Sequence, residues 1–110
     1  MNGYVFISYS QHERSYVVQL ARHLEAAGVP CWYDHELAAG DRWHRVIEER
    51  INGCAALVVV MTPEARDSDW VNNEIIHARE LGKPIAPLLL SGHRFVHLAY
   101  LQYELSLIHI

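Results

Sequence analysis

Ala55-Ala56-Leu57-Val58-Val59-Val60-Met61 is the longest unbroken apolar run in the chain. It is continuous rather than alternating, so a strand formed here hides both faces, as strands at the centre of a parallel sheet do. It falls far short of the roughly 20 residues that cross a bilayer. Before it, Asp41 is placed to cap a helix whose apolar face is Trp43, Val46, Ile47, Ile51 and Cys54, closed near Gly53. Earlier still, Val29-Pro30-Cys31-Trp32-Tyr33 reads as a strand, and its proline suits a sheet edge. Asp34 to Gly40 reads as the loop between them. Arg14 to Ala27 carries Val17, Leu20, Ala21 and Leu24 at helical spacing, with Gly28 as the stop. Tyr4-Val5-Phe6-Ile7-Ser8 reads as a short buried strand.

After the long apolar run, Thr62-Pro63-Glu64 begins a turn or a single helical turn. Ser68 or Asp69 then caps a helix from Trp70 to about Leu81, ended by Gly82. Pro84 to Leu90 is a fourth strand, Ser91-Gly92-His93 a turn, and Phe95 to Leu98 a short fifth strand. Strands that alternate with helices imply parallel crossovers and a sheet covered on both faces. The expected architecture is therefore α/β, a flavodoxin-like three-layer parallel sheet of order 2-1-3-4-5. In such sheets ligands collect at the carboxyl ends of the strands, near the switch point between strands one and three. That edge carries Ser8 to Arg14, Tyr33 to Asp41 and Met61 to Glu74.

Composition narrows the function classes. A length of 110 residues fits one domain. A net charge of −4 and the absence of any Lys or Arg run exclude a general phosphate grip on nucleic acid. Cys31 and Cys54 sit in apolar surroundings without CxxC spacing, which reads as two buried free thiols in a reducing compartment. The histidines form no HExxH motif, and no metal is expected. The first apolar run is short and lacks a basic lead-in, so no secretory leader is expected and the location is read as cytoplasmic, off the membrane.

Four stretches in order resemble a Toll/interleukin receptor (TIR) domain of the prokaryotic kind. They are Val5-Phe6-Ile7-Ser8-Tyr9-Ser10; Trp32-Tyr33-Asp34 with a loop ending Gly40-Asp41-Arg42-Trp43; Val58-Val59-Val60-Met61-Thr62-Pro63; and Ser68-Asp69-Trp70-Val71-Asn72-Asn73-Glu74. The second is similar to the family's BB loop and the fourth to its WxxxE helix start. The resemblance spans roughly residues 4 to 104. Two features depart from the pattern. Glu13 stands where bacterial relatives often carry Asp, and nothing after the fifth strand can form the family's last helix. The expectation is a TIR domain over 1–104, incomplete at its C-terminus, followed by a non-native tail over 105–110. A native apolar terminus packed on the sheet is the alternative for that tail. The resemblance also implies a fused sensor or effector domain outside these residues.

Read from the residues alone, Glu74 has two roles open to it. It is either a solvated carboxylate near a helix N-terminus, favoured by the macrodipole, or part of a site, since Trp70 four residues earlier shares its helix face. The resemblance implies the second, because enzymatic TIR domains carry their catalytic glutamate at this position. The implied reaction cleaves the nicotinamide–ribose bond of NAD, here a substrate, with no cofactor. The carboxylate is expected to be at least partly accessible in a cleft that also contains Ser8 and Trp70. Trp70 offers either a stacking face for a ligand ring or a packing surface, whereas Trp43 reads as core. Ser8 and Tyr9 offer hydroxyls to ribose or phosphate, and Arg14 a cation to a diphosphate. Tyr33 and Asp34 end the second strand at the same edge, although Asp34 equally suits a turn.

The resemblance further implies self-association with other TIR domains through the loop holding Leu37-Ala38-Ala39 and Gly40. Packing of that loop on its own domain is the bland alternative. Two other function classes stand beside the enzyme. One is a non-catalytic TIR–TIR interaction module. The other, a flavin or nucleotide binder, lacks support, since Ser10-Gln11-His12-Glu13-Arg14 is not a Ser/Thr/Gly-rich phosphate loop.

Overall fold

A computed structural model describes residues 3–33 and 41–89, with side chains of the second helix from residue 45 onward. In chain order come β1 (Val5–Ser8), a 3-10 turn (Gln11–Glu13), α1 (Arg14–Ala26), β2 (Cys31–Trp32), α2 (Asp41–Gly53) and β3 (Ala56–Met61). Then follow α3 (Pro63–Arg66), α4 (Asp69–Glu80) and β4 (Ile85–Leu89). The strands form one sheet of order β2-β1-β3-β4, every pair parallel. The α/β architecture and this order agree with the expectation. The predicted loop over 34–40, the turn and fifth strand over 91–98, and the tail over 105–110 lie outside the described residues. Among the described residues no helix is long and apolar enough to cross a membrane.

Strand alternation sorts the core into two layers. Val5, Ile7 and Tyr9 of the first strand and its end meet α1 through Val17, Leu20 and Leu24. Phe6, Leu57 and Val59 face the other way, against Ile47 and Ile51 of α2 and Val71 and Ala78 of α4. Every residue of β1 is buried, and Ala56 to Val60 are at most 1% exposed. Burying each such Val or Leu contributes about 1.5–3 kcal/mol. The sheet centre therefore sits where the longest apolar run put it.

Local signals fix the helix ends. The Ser68 hydroxyl accepts the Val71 N–H at 3.2 Å and caps α4, and the Thr62 hydroxyl accepts the Ala65 N–H at 3.1 Å ahead of Pro63. α1 and α4 both close in the same way. Gly28 (φ +89°) donates to the Glu25 carbonyl while Val29 donates to that of Leu24, and Gly82 (φ +71°) donates to Arg79 while Lys83 donates to Ala78. This pairing needs a left-handed residue after the helix, which glycine supplies without a Cβ penalty.

Three details differ from the sequence reading. β2 is only two residues long, because the Val29 N–H is committed to the end of α1 and Pro30 has none. Cys54 lies just beyond α2 rather than on it, yet is buried in the same layer as Ile51. Cys31 is partly rather than fully buried. Pro87 is tolerated inside β4 for a positional reason. Leu57 takes the Pro84 carbonyl, so residues of even number face β3 and Pro87 turns its missing N–H outward.

Candidate functional site

Ser8 ends β1 on the layer shared with Phe6, so its side chain faces α2 and α4 rather than α1. From the other side, α4 brings Val71, Glu74 and Ala78 inward as its buried stripe. The two meet directly. The Ser8 hydroxyl donates to Glu74 Oε1 at 2.6 Å, with Ser8 1% and Glu74 5% exposed. That length lies within the ordinary range for a hydroxyl bonded to a carboxyl oxygen. The picture of Glu74 as a solvated helix carboxylate is thereby corrected. It is buried, and burial of a charge is tolerable only with such partners.

Glu74 also lines a groove of about 280 Å³ between α2 and α4. Ile47, Glu48 and Ile51 form one wall, and Trp70, Asn73, Glu74, Ile76, His77 and Glu80 the other. The expected cleft held Ser8 as well. Ser8 is not among the lining residues and borders the groove only through Glu74. Among the described residues three carboxylates and no Lys or Arg line it, so their potential favours a cationic or neutral guest over a phosphate. Its volume, near the lower end of ligand pockets, holds part of a dinucleotide rather than all of it. His77 bridges the two helices by a hydrogen bond between Nε2 and Asn52 Oδ1, 3.0 Å apart.

Three further candidates, Tyr9, Arg14 and Tyr33, gather on the other side of the sheet. Arg14 Nη1 donates to the Tyr9 hydroxyl at 3.5 Å, and Tyr9 meets Tyr33 edge to face with centroids 6.2 Å apart. Tyr9 is only 3% exposed and belongs to the α1 layer, with Tyr33 packed against it. The structure thus unites Ser8, Trp70 and Glu74, and separately Tyr9, Arg14 and Tyr33. Trp70 is half-buried against the α2/α4 layer and also lines the groove, so it packs and presents a surface at once. Asp34, Leu37 and Gly40 lie outside the described residues, as does the side chain of Trp43.

Glu48, Asn73, His77 and Glu80 were not singled out from the sequence. The last three recur with Trp70 at helical spacing, a signal that was present. The sequence gives no such hint for Glu48, because the α2–α4 pairing is a tertiary fact. Burial pushes the Cys54 thiol up, and burial followed by the nearby Glu25 carboxylate pushes Cys31 up to about 12. Neither is a nucleophile at neutral pH. Among the described residues no group of three or more His, Cys, Asp or Glu could hold a metal ion. One histidine pair at i, i+4, His93 and His97, lies outside them.

Solved structures similar to this chain share its fold. The TIR domain of the Toll-related receptor TRR-2 from Hydra magnipapillata superposes with a TM-score of 0.76 at 18% identity, covering 99% of this chain and 100% of that one. The TIR domains of the activated Roq1 resistosome, which recognises the pathogen effector XopQ, give 0.67 at 18% identity, covering 98% and 74%. The CMP N-glycosidase BcmB of Clostridium botulinum gives 0.63 at 20% identity, covering 90% and 80%. At these identities the likeness speaks for fold alone. The family model for the TIR domain matches residues 5–105, nearly the whole length, and the chain belongs to the TIR domain family.

Proposed function

We propose that the chain is an NAD glycohydrolase or cyclase, acting in signalling or antiphage defence, with Glu74 as its catalytic residue. The observation that carries this is a buried carboxylate held by Ser8 and lining an acidic groove beside Trp70. The chemistry needs one carboxylate. The pyridinium leaves as neutral nicotinamide and requires no general acid. The ribosyl carbon becomes oxocarbenium-like, as in glycoside hydrolysis. A fixed anion beside it stabilises that charge. Attack by water gives ADP-ribose, and attack by an adenine nitrogen gives a cyclised product.

The lining suits the nicotinamide end of NAD, since the ring is cationic before cleavage and Trp70 offers an aromatic surface. BcmB, by its name, cleaves an N-glycosidic bond on a similar fold, which supports the reaction class. The acidic lining supplied by Glu48, Glu74 and Glu80 argues for a pyridinium over a nucleoside monophosphate. Arg14, Tyr9 and Tyr33, with Asp34 next in sequence, are proposed contacts for the rest of the dinucleotide. Self-association through Leu37 and Gly40 is proposed to complete the site. A cytoplasmic setting and a fused sensor or effector domain belong to the same reading.

The low exposure of Glu74 favours a second reading, in which the Ser8–Glu74 pair is structural and the domain acts only by TIR–TIR contact. Incubation with NAD, resolving nicotinamide, ADP-ribose and cyclic products, separates the two. The enzyme reading expects nicotinamide from the native chain and at least about a hundredfold loss in Glu74→Gln with an unchanged circular dichroism spectrum. No nicotinamide at any protein concentration would leave the interaction module.

A further inference from the structure

A serine hydroxyl has one proton to donate, and Ser8 gives it to Glu74 Oε1 at 2.6 Å. Ser8 is 1% exposed and does not line the groove. It ends a strand paired on both sides, in register with Val59 of β3. The donor therefore stands at the end of a strand held within the sheet, and the acceptor on a longer side chain with three rotatable bonds. From this geometry we propose that Ser8 is a positioning residue for the reaction assigned above to Glu74. It fixes the carboxylate's place in the groove wall through that hydrogen bond, and it does not touch the substrate. The inference rests on the glycohydrolase reading.

Two physical effects follow. A hydroxyl that donates to a carboxylate favours the ionised form, so its removal moves the carboxyl's titration upward. Release of the side chain also spoils the placement of the anion against the ribosyl carbon, where small displacements are costly. Both act on the chemical step. Neither weakens ground-state binding, because Ser8 makes no substrate contact.

The test uses the full chain as wild type, Ser8→Ala and Ser8→Thr, with steady-state kinetics over pH. A carbon-13 titration of the Glu74 carboxyl accompanies it, the resonance assigned by its loss in Glu74→Gln. In Ser8→Ala, kcat should fall about tenfold to a hundredfold with KM within about threefold of wild type. The acid limb of the kcat profile and the carboxyl titration should both move up by about one pH unit. Ser8→Thr keeps the hydroxyl and should restore both. Where the alanine variant does not fold, Ser8→Cys keeps the volume but donates weakly, with the same directions expected. A raised KM at unchanged kcat would make Ser8 a substrate contact and overturn the proposal. A lowered melting temperature with the titration and acid limb unmoved would make it merely structural and overturn it too. Absence of turnover in the wild type would instead sink the glycohydrolase reading. The carboxyl titration needs no substrate, and an unmoved titration would still reject control of Glu74 by Ser8.

Discussion

Val71, Glu74 and Ala78 share the buried stripe of α4, and the carboxylate between two apolar neighbours is the residue that breaks the pattern. Local rules are most often broken where function demands it. A buried carboxylate contributes little net stability even when paired. Glu74→Gln, which can still accept the Ser8 hydroxyl, should therefore melt within a few degrees of wild type or above it. A fall of many degrees would mark the pair as structural. That Glu74 sits in register with Val71 and Ala78 was legible in the sequence. Its partner Ser8, 66 residues away, was legible only as a strand-end hydroxyl. Cys31 supplies a pH prediction. Its thiol is pushed from an ordinary 9.0 to about 12, first by burial. The raised value means the folded state disfavours the thiolate, so this stability is full below pH 9.0 and is lost as pH rises toward about 12. Burial also raises Tyr4 and Tyr16, which add to the same alkaline decline. Thermal melts across that window should fall less steeply for Cys31→Ala than for wild type, and parallel slopes would contradict the assignment.

α4 carries Trp70 and Glu74 in its first two turns, so its ends matter to the site. Ser68→Ala removes the cap from Val71 and should cost about 1 kcal/mol. Gly82→Ala forces a Cβ into a left-handed turn and should cost about 1 kcal/mol as well. Denaturant unfolding should show both as lowered midpoints with unchanged slopes. No change in either midpoint would contradict the capping account. These ends were readable because cap residues act through their own neighbours in sequence. The 3-10 turn at Gln11–Glu13 was not, since three residues carry no periodicity. The length of β2 was hidden for another reason. The N–H of Val29, the first residue of the expected strand, is claimed by the end of α1, a competition that strand propensity does not register. In the core, Leu57→Ala should cost about 2–5 kcal/mol, the range for emptying a site at 0% exposure.

At the scale of the whole molecule, the candidates among the described residues divide between two faces of one sheet. Ser8 and Tyr9 adjoin in sequence and point opposite ways, which the period of two in a strand dictates. Topology gave the expected ligand edge, but the groove between α2 and α4 came only with the packing of two distant helices. That groove has room for only part of a dinucleotide, and Arg14, Tyr9 and Tyr33 lie across the sheet from it. A site so divided is open to completion by a second copy. Substitution of Leu37 or Gly40 should then lower activity at dilute protein more than at high concentration. The most direct measurement is nicotinamide release from NAD per subunit, followed over a hundredfold range of protein concentration for wild type and Glu74→Gln. The account predicts release by the wild type that rises per subunit with concentration, and none above background from Glu74→Gln. Release by Glu74→Gln at near wild-type rate, or none from the wild type at any concentration, would contradict it.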